Sequence, residues 1–239
     1  QQERFAAEEL ERRRSERAEV RIEEWIERPP TSTDSAQRLR TLSRGLFPLA
    51  HDRRRIAGAF EDLGQDAQQV AIQKVIDALL AATPSAFARD NTISTAVLYE
   101  SAAFAHAVTF SGGAWLTPDL IKHWLPGALR GSDERRDEVI EVCFAVAPRL
   151  TVEAVIADLE LNAVALGHAE THYVPDSLWA TSEFLSSLLD LLRQLARTGE
   201  GRAFEAVPQL FESLVRSQHT PAQIKAMRQI SGALRLDLA

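Results

Sequence analysis

The chain has 239 residues, 45% of them hydrophobic, and a formal net charge of −7. That length and composition suffice for a sizeable core, whereas the acidic balance argues against a general nucleic-acid binder, which usually carries a basic surplus against phosphate. No apolar run approaches the roughly 20 residues of a membrane-crossing helix, and a lone cysteine, Cys143, excludes an intrachain disulfide and fits a reducing, cytoplasmic setting.

Residues 1–28 are the most charged stretch. Glu8 and Arg12, Glu9 and Arg13, and Glu24 and Arg28 pair at i,i+4 spacing and predict a helix. Its first half carries charge on every face through Arg12-Arg13-Arg14-Ser15-Glu16-Arg17, and only Ala18, Ile22, Trp25 and Ile26 gather on one side. This charged N-terminal helix reads as a stalk or coiled-coil continuation of an upstream region, or as a solvated terminal helix. The opening lacks a signal-peptide core, and a chain beginning at Gln1 reads as a segment of a larger protein. Pro29-Pro30 and Thr31-Ser32-Thr33 place a linker at 29–34. Residues 35–239 are read as one helical-repeat-like domain.

Helices are expected within it near 35–46 and 50–63, with Pro48 between them and Ile56, Phe60 and Leu63 on one face. From Gln65 to Ala82, Ile72, Val75, Ile76, Leu79 and Leu80 make a broad apolar face ahead of Thr83-Pro84. The next helix runs from about Thr92 to Val108 and gives way to a turn at Ser111-Gly112-Gly113. Further helices are expected near 118–125, 133–147, 152–166, 177–197, 203–216 and 221–235. Thr117-Pro118 and Thr220-Pro221 each set a capping hydroxyl before a proline at the first helical position. Ser132 and Asp176 are further start signals, and Pro148, Gly167 and Gly199 are stops. Leu178, Leu185 and Leu192, seven apart, make 177–197 the most regular stretch, and no comparable strand alternation is present.

Candidates for chemistry are few. No lysine follows a glycine in a phosphate-cradling pattern, and Ser111-Gly112-Gly113 is a turn and no nucleophile elbow. Cys143, between Val142 and Phe144, reads as a buried small side chain with a raised pKa. His168, Glu170, His172 and Asp176 are the one cluster with a metal-like composition, but Gly167 and Pro175 make that segment a loop and read it as a polar connection. Arg38, Arg40, Arg44, Arg53, Arg54 and Arg55 form a locally basic stretch between residues 34 and 60, interleaved only with Phe47 and Phe60; consecutive arginines diverge by about 100° on a helix, which favours a solvated or salt-bridged face over a phosphate site. Glu100 between Val97 and Phe104, and Asn162 between Leu159 and Leu166, interrupt apolar stripes and should bond a neighbouring helix or mark a stripe edge.

Two resemblances are limited in extent. Arg44 and His51, separated by six residues, resemble the active motif of the all-helical HEPN ribonucleases, which would imply metal-independent RNA cleavage by that pair; Pro48 between them interrupts the helix such a site needs. Residues 220–225 resemble the opening helix of some helix-turn-helix repressors, with too little chain before Ala239 for a recognition helix.

The expected fold is all-α: an antiparallel helical-hairpin array, either a HEAT-like solenoid or an irregular helical bundle, with the charged N-terminal helix. The expected function is a non-catalytic protein-interaction or scaffolding segment of a larger intracellular protein, binding a protein partner or another region of its parent chain, with no catalytic, cofactor or metal residues assigned. The alternatives are a small-ligand-sensing helical domain with a pocket lined by Tyr99, Trp115, Trp124 or Trp179, and the HEPN-like RNase using Arg44 and His51.

Overall fold

A computed structural model of the chain describes residues 34–47, 60–87, 93–131, 135–166 and 174–198, together with scattered helical residues between 221 and 232. The described residues are mostly helical and contain no strand, so the described part of the protein is all-α. The elements are α1 (Ser35–Leu46), a 3-10 turn (Phe60–Asp62), α2 (Gln65–Ala81), α3 (Thr95–Ser111), α4 (Pro118–Gly131), α5 (Arg136–Val146), α6 (Pro148–Leu166), α7 (Asp176–Trp179) and α8 (Ser182–Thr198). No described helix is long and apolar enough to cross a membrane. Residues 1–33, where the charged helix and most of the linker are expected, lie outside the described residues, as do 203–216.

The described residues fall into two compact units. The first holds α1, α2 and α3 and the last residues of α4; the second holds the rest of α4 and α5 to α8. In the first unit α1, α2 and α3 pack on one another pairwise. Asp34 caps α1 by accepting the Ala36 N–H at 2.9 Å, which satisfies a donor the first turn leaves open. Leu39, Ser43 and Leu46 form its buried stripe. α2 turns Ala71, Ile72, Val75, Ile76 and Leu79 inward, each large aliphatic side chain contributing about 1.5–3 kcal/mol on burial. Ser94 caps α3 through the Val97 N–H at 3.3 Å, and Gly112 closes it with φ +70°, a backbone that L side chains rarely adopt. α3 is buried nearly all round, from Val97 to Val108, as expected of a helix without a polar face. Its small residues Ala102, Ala103, Ala105 and Ala107 are all buried.

In the second unit α6 packs on α5 and α8. A single non-helical residue, Ala147, joins α5 to α6, and Pro148 opens α6 at the position where its missing N–H costs nothing. α8 buries Phe184, Leu188, Leu191, Leu192 and Leu195 and exposes Glu183, Ser186, Asp190 and Gln194.

Of the helix expected over 50–63, residues 50–59 lie outside the described residues, and 60–62 form the 3-10 turn, with Leu63 N–H bonded to the Phe60 carbonyl at 3.2 Å. Three expectations of detail are corrected. The helix foreseen to stop at 125 continues through Pro126 to Gly131. Ile121, Trp124, Leu125, Ala128 and Leu129 are buried on both sides of the proline, and that packing outweighs the roughly 3 kcal/mol an interior proline costs. Pro148 starts a helix as well as ending one. The run 177–197 is broken at Ala180-Thr181, because the Thr181 hydroxyl donates to the Leu178 carbonyl at 2.8 Å and accepts the Phe184 N–H at 3.3 Å, which starts α8 afresh.

Candidate functional site

The polar centre of the first unit is built around Glu100. α3 carries it into the interior because the residues around it on the helix are apolar, and it is only 2% exposed. A buried carboxylate is costly unless paired and hydrogen-bonded, and three donors meet it. Arg40 on α1 reaches Oε1 with Nη1 at 3.0 Å, Ser85 Oγ donates to Oε1 at 2.7 Å, and the Ser85 backbone N–H donates to Oε2 at 2.8 Å. Arg40 also donates to Ser85 Oγ at 3.2 Å, and its other terminal nitrogen lies 3.9 Å from the exposed Asp34 carboxylate. One turn along α1, the buried Ser43 hydroxyl donates to the carbonyl of Tyr99, beside Glu100. The segment after α2 is held a second time where the Arg130 guanidinium lies 4.2 Å over the Phe87 ring.

Both carboxylate oxygens of Glu100 thus accept hydrogen bonds from the chain itself, and its charge is balanced by Arg40. The Ser85 hydroxyl points its proton at that carboxylate while accepting from the guanidinium. The arrangement ties α1, the segment after α2, and α3 together.

A second cluster in the same unit is aromatic. His106 stacks on Phe47 with centroids 3.9 Å apart and 18° between planes, and its Nδ1 lies 2.8 Å from the Ala102 carbonyl oxygen. Phe60 meets Phe47 at 5.4 Å and Phe110 edge-on at 5.2 Å. Phe47 and Phe60, the two rings interleaved with the basic stretch, are buried here. His106 and Phe110 went unremarked in the sequence, although their i,i+4 spacing on α3 was the available signal.

Of the HEPN-like pair, Arg44 stands exposed near the end of α1 and is engaged in an interaction of its own; His51 lies outside the described residues, as do Arg53, Arg54 and Arg55. His168, Glu170 and His172 also lie outside them, while Asp176 is the first residue of α7. Among the described residues no group of three or more His, Cys, Asp or Glu side chains stands close enough to hold a metal ion. Tyr99, Trp124 and Trp179 are buried in the core, and Trp115 is half-buried, its Nε1 donating to Ser111 Oγ at 2.8 Å. Trp179 donates to the Val174 carbonyl at 3.2 Å and meets Phe184 edge-on at 5.1 Å.

Asn162 is half-buried and donates to Asp158 Oδ2 at 3.1 Å. The buried carboxylate on α6 is Asp158, one turn earlier, which sequence reasoning passed over. Cys143 is fully buried, and the loss of solvent pushes its thiol up from 9.0 to about 12. No family model, no curated protein and no solved structure matches the chain.

Proposed function

We propose that this chain is a non-catalytic interaction segment of an intracellular protein, its helices arranged as antiparallel hairpins that present a surface to a protein partner or to another region of the parent chain. The observation that carries the reading is the closure of Glu100 by Arg40 and Ser85. The ionic chemistry at the heart of the first unit is spent on joining its elements, and neither carboxylate oxygen is free to abstract a proton from a substrate. The buried state of Tyr99, Trp124 and Trp179 favours the same reading over a ligand pocket lined by those rings.

Photo-cross-linking amino acids placed at the exposed positions Leu80 and Val164 test it. A discrete adduct with one cellular protein, competed away by excess unlabelled chain, is expected. RNA cleavage by the purified chain that disappears in His51→Ala would overturn it in favour of the RNase, and a small molecule retained in native mass spectra would favour the sensor. The hairpin arrangement has its own test. Spin labels at the exposed residues Glu138 and Ala157 should lie well inside the separation of about 28 Å that one continuous helix would impose.

A further inference from the structure

We propose that the chain self-associates by laying the basic face of its C-terminal helical stretch, Pro221, Ile224, Lys225 and Arg228, against the acidic outer face of α5, Asp137, Glu138 and Glu141, of a second copy. In a chain of net charge −7, residues 213–236 hold four basic residues and no acidic one. The described residues of this stretch are helical, and Pro221, Ile224, Lys225, Arg228 and Gln229 line an open surface groove, all of them exposed, while Ile230 is buried on the other side. Their spacing of three, one, three and one marks a single helix face. Neither Lys225 nor Arg228 makes an ion pair within the described residues.

α5 offers the complement. Val139, Ile140 and Cys143 face the core, and the opposite arc of about 100° carries Asp137, Glu138, Glu141 and Ala145, all exposed. Carboxylates three and four residues apart stand about 4.5–6 Å apart along a helix, as do cations three apart. Two such helices laid side by side and antiparallel set Lys225 against Glu141 and Arg228 against Glu138, with the small Ala145 leaving room for Pro221. Both faces belong to the second unit and both are exposed in it, so one copy does not mate them to each other. A twofold axis would use each contact twice and close the assembly as a dimer. Two cations flanking apolar Ile224 and Pro221, with no aromatic ring among them, suit a protein helix better than a nucleic-acid strand.

The proposal rests on the interaction reading only in naming one partner. Sedimentation of the whole chain should show a dimer whose association weakens at least about tenfold between about 0.05 and 0.5 M salt, as exposed charges are screened. Lys225→Glu with Arg228→Glu should weaken self-association at least about tenfold, and so should Glu138→Lys with Glu141→Lys. Mixing the two variants should restore a dimer, because each reversed face then meets its reversed complement. Circular dichroism checks that the surface variants keep their helices. A chain that is monomeric at both salts, an association that either reversal leaves unchanged, or RNA binding lost in the Lys225→Glu variant without a change in self-association would overturn the proposal. A monomer would leave the cross-linking test of the broader reading unaffected.

Discussion

Removing the carboxylate of Glu100 is the most direct test of the polar centre. Glu100→Ala deletes three bonds at 3.0, 2.7 and 2.8 Å, each charge-assisted. Hydrogen bonds to charged groups are worth about 1.5–3 kcal/mol each, but the full sum is not expected. The Arg40 side chain is 29% exposed and Ser85 is half-buried, so both recover part of their hydration. The loss should fall near the lower end of the range for breaking a buried pair, about 3 kcal/mol. Glu100→Gln keeps one acceptor oxygen and puts an amide against either the Ser85 N–H or the Arg40 and Ser85 side-chain donors, for a loss of about 1.5 kcal/mol. Ser85→Ala, which loses the bond to Oε1 and the one accepted from Arg40 but leaves those two groups paired with each other, should cost about 1.5 kcal/mol. Because the chain holds two compact units, the readout should be local to the first: hydrogen exchange of α3 amides across a urea series, with the melt recorded alongside. In a unit of roughly 120 residues a drop of about 3 kcal/mol would appear as a fall in midpoint of about 12 °C. The reasoning is refuted if Glu100→Ala and wild type protect α3 equally within about 0.5 kcal/mol, or if Ser85→Ala costs more than Glu100→Ala.

Other outcomes follow from single features. Cys143, with its pKa pushed up to about 12, should react with a thiol reagent at pH 8 about a thousandfold more slowly in the folded chain than in urea; equal rates would contradict its burial. Since its folded pKa lies above the ordinary 9.0, the unfolded chain loses this proton first. The contribution is therefore fully present below about pH 9 and declines as pH rises toward 12, which a urea titration in that window measures. Gly131→Ala should destabilise the first unit by about 1–3 kcal/mol despite the better helix propensity of alanine, because the new Cβ would stand 2.7 Å from Ser101 Cβ. Ser101→Gly should recover most of that loss in a denaturation series. Trp179→Ala should cost about 3–5 kcal/mol by chemical denaturation, from a lost ring contact with Phe184 and a cavity at a site only 2% exposed.

Local structure was legible where a single residue decides it. The helix expected near 35–46 is Ser35–Leu46, and the stripe from Ile72 to Leu79 marks Gln65–Ala81 within a residue. The errors lie where two local rules compete. Pro126 argues for a stop, but the apolar face continuing through Ala128 and Leu129 overrides it; Thr181 is a cap hidden inside a leucine repeat. Of the polar centre, Glu100 was visible as an interruption of a stripe. Its partners were not, since Arg40 lies 60 residues away and Ser85 sits in an irregular segment 15 residues before it. Periodicity reports which face turns inward, and carries no information on which distant side chain arrives there. For the same reason Asn162 drew notice although Asp158, a turn away, is the deeper group.

The alanines of α3 carry a consequence for how this protein can vary. With Ala103, Ala105 and Ala107 at zero exposure, one added carbon at any of them must find room among packed atoms and not in solvent. α2 meets solvent along Asp66, Gln69, Gln73 and Asp77, where a substitution displaces only water. In a library of variants selected for folding, diversity should collect on that outer edge of α2, and α3 should come through nearly unaltered.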